Sequence, residues 1–283
     1  MPLIKPYAYL NAEFDKSDIR IIHVPHSRKK DLPLAIISIA DLSTKLPPEE
    51  TQAIAAAWSA ELKKEPLLNE NIVSVHFIEQ KTGNLRVAPT DYRTWKTTAR
   101  KGFYDRFGGM YIPNSLNVQL LAQTEDNQIV LGTRPPKEDG KLPAFQVPGG
   151  MVKMSDSWSG CILPDRSAVR EFREEVGDLP VRDVSYLGAS FYAGRVITTL
   201  YYAASLVMDS RELTAWRHRN QHNISDYQAF PEEHYIPATP QGIQAARQSG
   251  RLRETAEVGL LLKGRSLFGN NWFRKNMPAR MRG

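Results

Sequence analysis

The chain is poor in the residues that would tie it to an oxidising compartment or to a membrane. Of its 283 residues one is cysteine, Cys161, which has no partner for an intramolecular disulfide. A reducing compartment, the cytoplasm, is the expectation. No apolar run approaches the roughly 20 residues of a membrane span; the longest, near Leu32 to Leu42 and Val258 to Leu262, are far shorter. The start, Met1-Pro2-Leu3-Ile4-Lys5-Pro6-Tyr7, has no long apolar run behind it and does not read as a signal peptide. Internal repeats, low-complexity tracts, a Walker loop and a dinucleotide fingerprint are all missing, which removes the solenoid, P-loop and Rossmann classes. Acidic residues are missing from residues 263 to 283, where Lys263, Arg265, Arg274, Lys275, Arg280 and Arg282 equal the whole formal excess of 37 basic over 31 acidic residues. Phe268, Trp272 and Phe273 are interleaved with them. Such a basic aromatic tail reads as a contact for RNA, an anionic surface or a partner, or as a segment docked by its aromatics on its own domain.

Carboxylates are concentrated instead in Arg170-Glu171-Phe172-Arg173-Glu174-Glu175-Val176-Gly177. On a helix, Glu171, Glu174 and Glu175 fall within roughly 100° of arc, and Val169, Phe172 and Val176 lie on the opposite, core-seeking side. Arg170 stands four residues before Glu174, the spacing of an intrahelical ion pair. Three like charges this close repel unless cations sit among them, and hard oxygen donors suit Mg²⁺ or Mn²⁺. Upstream, Phe145-Gln146-Val147-Pro148-Gly149-Gly150 reads as a strand ending in a glycine turn that permits close backbone approach to a ligand. By contrast, His218 and His222 have i,i+4 spacing but sit among cations, which disfavours a metal there.

These residues resemble the Nudix hydrolase family, whose signature is Gly, five residues, Glu, seven residues, then Arg-Glu-apolar-x-Glu-Glu-x-Gly-apolar. Arg170 to Gly177 match its second half. The first half departs: six residues beyond Gly150 stands Asp156 in place of Glu, and the gap to Arg170 is six residues longer. The last apolar position holds Asp178, with Leu179 next. The resemblance implies an α+β fold, a Nudix-type α/β/α sandwich with a mixed sheet. It implies metal ligands at Glu171, Glu174 and Glu175, Mg²⁺ or Mn²⁺ as cofactor, and hydrolysis of a diphosphate. Glu175 or Glu174 would take the water proton, with Glu232 and Glu233 as alternatives, and Arg170 belongs to the same catalytic set.

Within the family the chain is most similar to the subfamily that hydrolyses UDP-glucose and UDP-galactose, through Ala56-Ala57-Trp58, Pro66-Leu67-Leu68-Asn69, Asp91-Tyr92-Arg93, Pro113-Asn114-Ser115-Leu116-Asn117-Val118, the long insertion and Ala193-Gly194-Arg195. That similarity implies a UDP-sugar cleaved to UMP and sugar 1-phosphate. The alternatives are another Nudix substrate (ADP-ribose, a dinucleotide, coenzyme A or capped RNA) or a non-catalytic nucleotide-binding regulator on the same fold. Substrate phosphates need fixed cations, for which Arg134 and Arg195 are the candidates, beside the backbone of Gly149 and Gly150. Phe191, Tyr192 or Tyr111 could offer a base an aromatic surface.

The expected organisation is a small α+β amino-terminal module over residues 1–110, the Nudix hydrolase domain over 111–262 and the basic tail over 263–283. Strands are expected at Asp18 to Pro25, Leu34 to Ile39, Ile72 to Glu79, Leu85 to Ala88, Leu116 to Thr124, Gln128 to Arg134, Asp183 to Tyr192 and Val196 to Val207. Helices are expected at Pro47 to Lys64, over the acidic run and at Pro240 to Ser249, with Asp91 to Gly109 as a bridge.

Overall fold

The computed structural model describes residues 3–4, 19–25, 33–37, 47–64, 66–79, 81–99, 101–107, 112–134 and 143–281. In chain order the first elements are β1 (Leu3–Ile4), β2 (Ile19–His23), β3 (Ala35–Ile37), α1 (Pro48–Leu62), β4 (Asn71–Glu79), β5 (Leu85–Asp91), α2 (Tyr92–Thr98) and α3 (Lys101–Phe107). There follow β6 (Ser115–Gln123), β7 (Gln128–Arg134), β8 (Ala144–Gln146), β9 (Gly149–Met151), β10 (Ser157–Trp158), β11 (Cys161–Ile162) and α4 (Pro164–Glu175). The last are β12 (Val181–Tyr192), β13 (Ile197–Leu206), α5 (Ser210–Asn220), β14 (Glu232–Pro237), α6 (Pro240–Gln248) and α7 (Glu254–Asn276). Tyr111 and the polar loop Lys137 to Lys141 lie outside the described residues.

Helix starts follow their chemistry. Pro48 opens α1, with Glu49 and Glu50 against the positive end of the helix dipole. Asp209 caps α5 in a reciprocal pair with Glu212, and the Thr239 hydroxyl accepts from the Gly242 N–H at the start of α6.

The strands form a mixed sheet whose main path runs β10, β11, β3, β5, β4, β6, β13, β12, β2, with β7, β8, β9 and β14 branching from β6. Its centre is the parallel pair of β6 and β13, in register from Ser115 with Ile197 to Gln123 with Ser205. Both strands are buried almost throughout, as parallel strands covered on two faces must be. Alternation divides their side chains: Leu116, Val118, Leu120 and Leu200 join a core that includes Ala168, Phe172 and Val176. Leu121, Tyr201 and Ala203 join a second core that includes Ala256, Val258 and Leu260. The sheet is thus packed between α4 on one face and α7 on the other.

Two junctions bind the amino-terminal strands to the rest. Ser74 of β4 pairs with Ser115 of β6, and its Oγ accepts from the Asn114 N–H at 3.1 Å. The residues between Asp156 and α4 that lengthen the signature loop form the β10–β11 hairpin, and Cys161 and Ile162 pair with Ile36 and Ala35 of β3. The insertion adds two strands to the sheet edge and leaves α4 undisturbed.

The bridge expected over Asp91 to Gly109 holds two short helices, α2 and α3. The basic segment is packed rather than extended. Its residues up to Asn276 lie in α7, which kinks at Gly269, Phe273 and Met281 are buried, and Arg282 lies outside the described residues. Arg265 donates to the Pro25 carbonyl at 2.8 Å, and Arg280 pairs with Glu257 at 2.6 Å. Among the described residues no helix is long and apolar enough to cross a membrane.

Candidate active site

α4 is anchored by Ala168 and Phe172, both fully buried, and its acidic residues take different surroundings. Glu171 and Glu175, one turn apart, are buried against Gly149 and Gly150, which open strand β9 rather than form the expected turn, whereas Glu174 is about one third exposed. The glycines are required by that contact. A Cβ on Gly150 would stand 2.1 Å from Glu171 Oε2, and one on Gly149, whose φ is +155°, would stand 2.1 Å from the Val118 carbonyl oxygen. The Gly149 N–H donates to Glu175 Oε2 at 2.8 Å. Burial pushes the Glu171 carboxyl up to about 7 against the pull of Arg170, with Glu174 adding repulsion. It pushes Glu175 up to about 8, opposed by the Gly149 N–H and by Arg134, and assisted by the charge of Glu171.

Arg170 gathers the remaining acids. Its Nη1 lies 2.8 Å from Glu171 Oε1 and donates to both Glu174 oxygens at 3.0 and 3.1 Å. Nε and Nη2 grip the two oxygens of Asp156 at 3.0 Å each. Burial alone would lower the guanidinium pKa; the bonds it donates to Asp156 and Glu174 and the charges of Glu171 and Asp156 reverse this and raise it. Asp156 also accepts from Ser167 Oγ at 2.9 Å and from the Lys153 N–H at 3.1 Å. Despite the longer loop, Asp156 therefore sits among the signature residues, and the extra length is absorbed by β10 and β11. Among the described residues no three acidic, histidine or cysteine side chains are gathered closely enough to cage an ion. The reason is visible in the contacts: Arg170 occupies the space between Glu174 and Glu171.

On the other side of Gly149 opens a cavity of about 740 Å³, within the size range of nucleotide pockets. Arg134, at the end of β7, and Arg195, in the turn between β12 and β13, both line it, as does Gly149. Sequence reasoning did not single out Arg253, which reaches the same cavity from the cap of α7. Among the described residues none of these three guanidiniums forms a hydrogen bond or ion pair. Burial lowers the Arg253 pKa, and the neighbouring Arg134 and Arg195 lower it further. Arg195 leans on the Tyr192 ring, 5.9 Å from its centroid.

Other candidates separate from this centre. Phe191 is buried in the core, while Tyr192 lines the cavity. Glu232 and Glu233 belong to β14, paired with β7, and Glu233 is held 2.9 Å from the buried Arg217. His218 and His222 are exposed.

The description "NUDIX domain" matches residues 113–249 of this chain. No curated protein matches it significantly. Among solved structures, a Deinococcus radiodurans protein is 16% identical over 53% of this chain and 81% of its own, with a TM-score of 0.34. A MutT from work on Aliivibrio salmonicida and Vibrio cholerae is 21% identical over 32% of this chain and 64% of its own, with a TM-score of 0.25. A protein provisionally described as a Nudix hydrolase is 14% identical over 74% of this chain and 96% of its own, with a TM-score of 0.40. At such scores the domain match carries the assignment. Residues 113–249, just under half of the chain, match a NUDIX domain, and that match supports a Nudix diphosphate hydrolase.

Proposed function

We propose that the protein hydrolyses a nucleoside diphosphate linked to a second moiety, with a UDP-sugar, cleaved to UMP and sugar 1-phosphate, as the first substrate to test. The observation that carries this reading is that two buried carboxylates, Glu171 and Glu175, stand against Gly150 and Gly149, while Gly149 lines a cavity with Arg134, Arg195 and Arg253, which form no ion pair among the described residues. A diphosphate needs both, acids that hold a cation and fixed positive charge that holds phosphate oxygens.

The donor chemistry fits Mg²⁺ or Mn²⁺. Glu171 and Glu175 are hard oxygen donors whose buried charge is costly without a cation, as their raised pKa values state. Glu171 and Glu175 are the residues that would hold it, with Glu174, whose two oxygens here accept from Arg170, as the third of the set. A bound divalent ion would polarise phosphoryl oxygens and make hydroxide available near neutral pH.

The chain's own groups do the rest. Arg170, bonded to Asp156, orients Glu174 and Glu171 on α4. Arg134 and Arg195 bind phosphate oxygens, with the Gly149–Gly150 backbone at the reacting end. Water attacks one phosphorus as the bridging P–O bond breaks, and its proton passes to a carboxylate. Glu175 suits that role better than Glu174, which Arg170 holds through both oxygens. Arg253 favours a second reading, a substrate with a further phosphate such as a dinucleotide or coenzyme A. The division at residues 1–110, 111–262 and 263–283 and a cytoplasmic location remain part of the proposal.

Mass spectrometry of products formed with Mg²⁺ from UDP-sugars, ADP-ribose, dinucleotides, coenzyme A and capped RNA tests it. UMP plus sugar 1-phosphate, absent with Glu174→Gln, is expected; cleavage of another member replaces the substrate. No turnover with Mg²⁺ or Mn²⁺ overturns the enzyme in favour of a binding protein.

A further inference from the structure

The cavity has a second wall that comes from outside the matched domain. Tyr92, Trp95, Lys96 and Ala99 all line it, and they stand at positions i, i+3, i+4 and i+7 along α2 and its cap. That spacing is one helix face. The opposite face, with Thr94, Thr97 and Thr98, is buried in the protein. α2 is firmly placed: Asp91 caps it by accepting from the Thr94 N–H, and the Trp95 indole N–H donates to the Arg195 carbonyl at 3.1 Å. The wall of α2 and the turn that carries Arg195 are thereby joined directly.

Two kinds of chemistry line the cavity. One is cationic, the guanidiniums of Arg134, Arg195 and Arg253. The other is aromatic, the half-buried Tyr92 ring, backed by Trp95 at 5.6 Å and by Trp58 edge-on at 6.3 Å, with Lys96 Nζ 5.8 Å from the Tyr92 centroid. A ligand with phosphates at one end and a flat aromatic group at the other matches both. A bare sugar phosphate would leave the aromatic end unused, and a purely apolar ligand would leave the arginines uncompensated.

We infer that α2 of the amino-terminal module is the nucleobase-binding wall of this pocket, with Tyr92 as the stacking surface and Lys96 as a polar contact, while Arg134, Arg195 and Arg253 take the phosphates. The module then sets which nucleotide is accepted. The β10–β11 hairpin, clamped to β3, ties the same module to the loop that precedes α4. The inference rests on the cavity being the substrate site, and it is read by binding without turnover, so it stands or falls apart from hydrolysis.

Calorimetric titration of the full-length protein in EDTA with UMP, AMP and inorganic pyrophosphate tests it. Tyr92→Ala should weaken the preferred nucleoside monophosphate about tenfold, the scale of a lost base stack, and leave pyrophosphate within about twofold. Arg253→Ala should weaken both ligands. Tyr92→Phe should restore nucleotide binding, which separates stacking from misfolding. Nucleotide binding without hydrolysis, lost in Tyr92→Ala, would support the wall while removing the enzymatic reading. The inference is overturned if wild type binds no nucleotide, if Tyr92→Ala binds nucleotide normally, or if pyrophosphate affinity falls in step with it in a protein that melts as wild type does.

Discussion

On the α4 side of Gly149 and Gly150, Arg170 meets Asp156, Glu171 and Glu174 at 2.8 to 3.0 Å; on the cavity side, Arg134, Arg195 and Arg253 meet no carboxylate at bonding distance among the described residues. The first arginine is held more firmly in its charged form, and Arg253 less firmly. A cation surrounded by acids is part of the architecture, and its loss leaves buried anions stranded. Three like charges in a cavity whose lining carries a single carboxylate, Glu254, repel one another and raise the energy of the empty site, a cost that an anionic ligand removes. The two regions should respond to mutation with opposite signatures, stability on one side and affinity on the other.

The largest effect expected is on turnover. Glu175→Gln keeps the shape of the side chain and the Gly149 contact but removes the charge, so kcat with Mg²⁺ should fall by about 10² to 10⁴ while the fold persists. Gly150→Ala aims at the same side through geometry. Its Cβ displaces the Glu171 carboxylate, and an ångström of displacement is worth about 10² in rate, read as kcat against an unchanged circular dichroism spectrum. Arg170→Met should cost about 2 to 3 kcal/mol in urea unfolding, somewhat below the cost of breaking a fully buried pair, because Arg170 keeps some exposure.

Lys263 sharpens the comparison from within α7, the helix that begins beside Arg253. It is a buried cation without a hydrogen bond or ion pair among the described residues, and burial lowers its pKa to about 8. In the unfolded chain Lys263 binds a proton up to about pH 10.4, so between there and pH 8 the unfolded state carries more protons. Its contribution to stability is fully present above the unfolded value and is lost as pH falls through 8. Lys263→Met should raise stability at pH 7 by about 1 to 3 kcal/mol and flatten the pH dependence between 8 and 10, as followed by thermal melts. The smallest stability change belongs to Arg253→Ala, within about 0.5 kcal/mol of wild type. A loss of several kcal/mol there would break the contrast with Arg170.

Much of the acidic half was legible because its spacing is chemical: Glu171, Glu174, Glu175, Arg170 and the two glycines are close in sequence and constrain one another. The strand at Gln128 to Arg134 and the helix from Pro240 were likewise carried by local alternation and a proline start. Asp156 was harder, since a longer loop changes the count from Gly150; only pairing of Cys161 and Ile162 with β3, a contact across more than 120 residues, shows where the extra length goes. Arg253 carried no local signal, because its meaning comes from meeting Arg134 and Arg195 in space. For α2 a signal existed: Tyr92, Trp95, Lys96 and Ala99 share a helix face, hidden in a stretch read as a bridge. The tail carried two readings, an external contact or docking by its aromatics on its own domain, and among the described residues Arg280 pairs with Glu257 and Phe273 is buried in the core.

Titration of Mn²⁺ by electron paramagnetic resonance against wild type and Glu171→Gln/Glu175→Gln tests most directly whether the α4 carboxylates hold a cation. The account expects saturable binding by wild type that the double variant loses. Wild type that binds no Mn²⁺, or a double variant that binds it equally well, would contradict it.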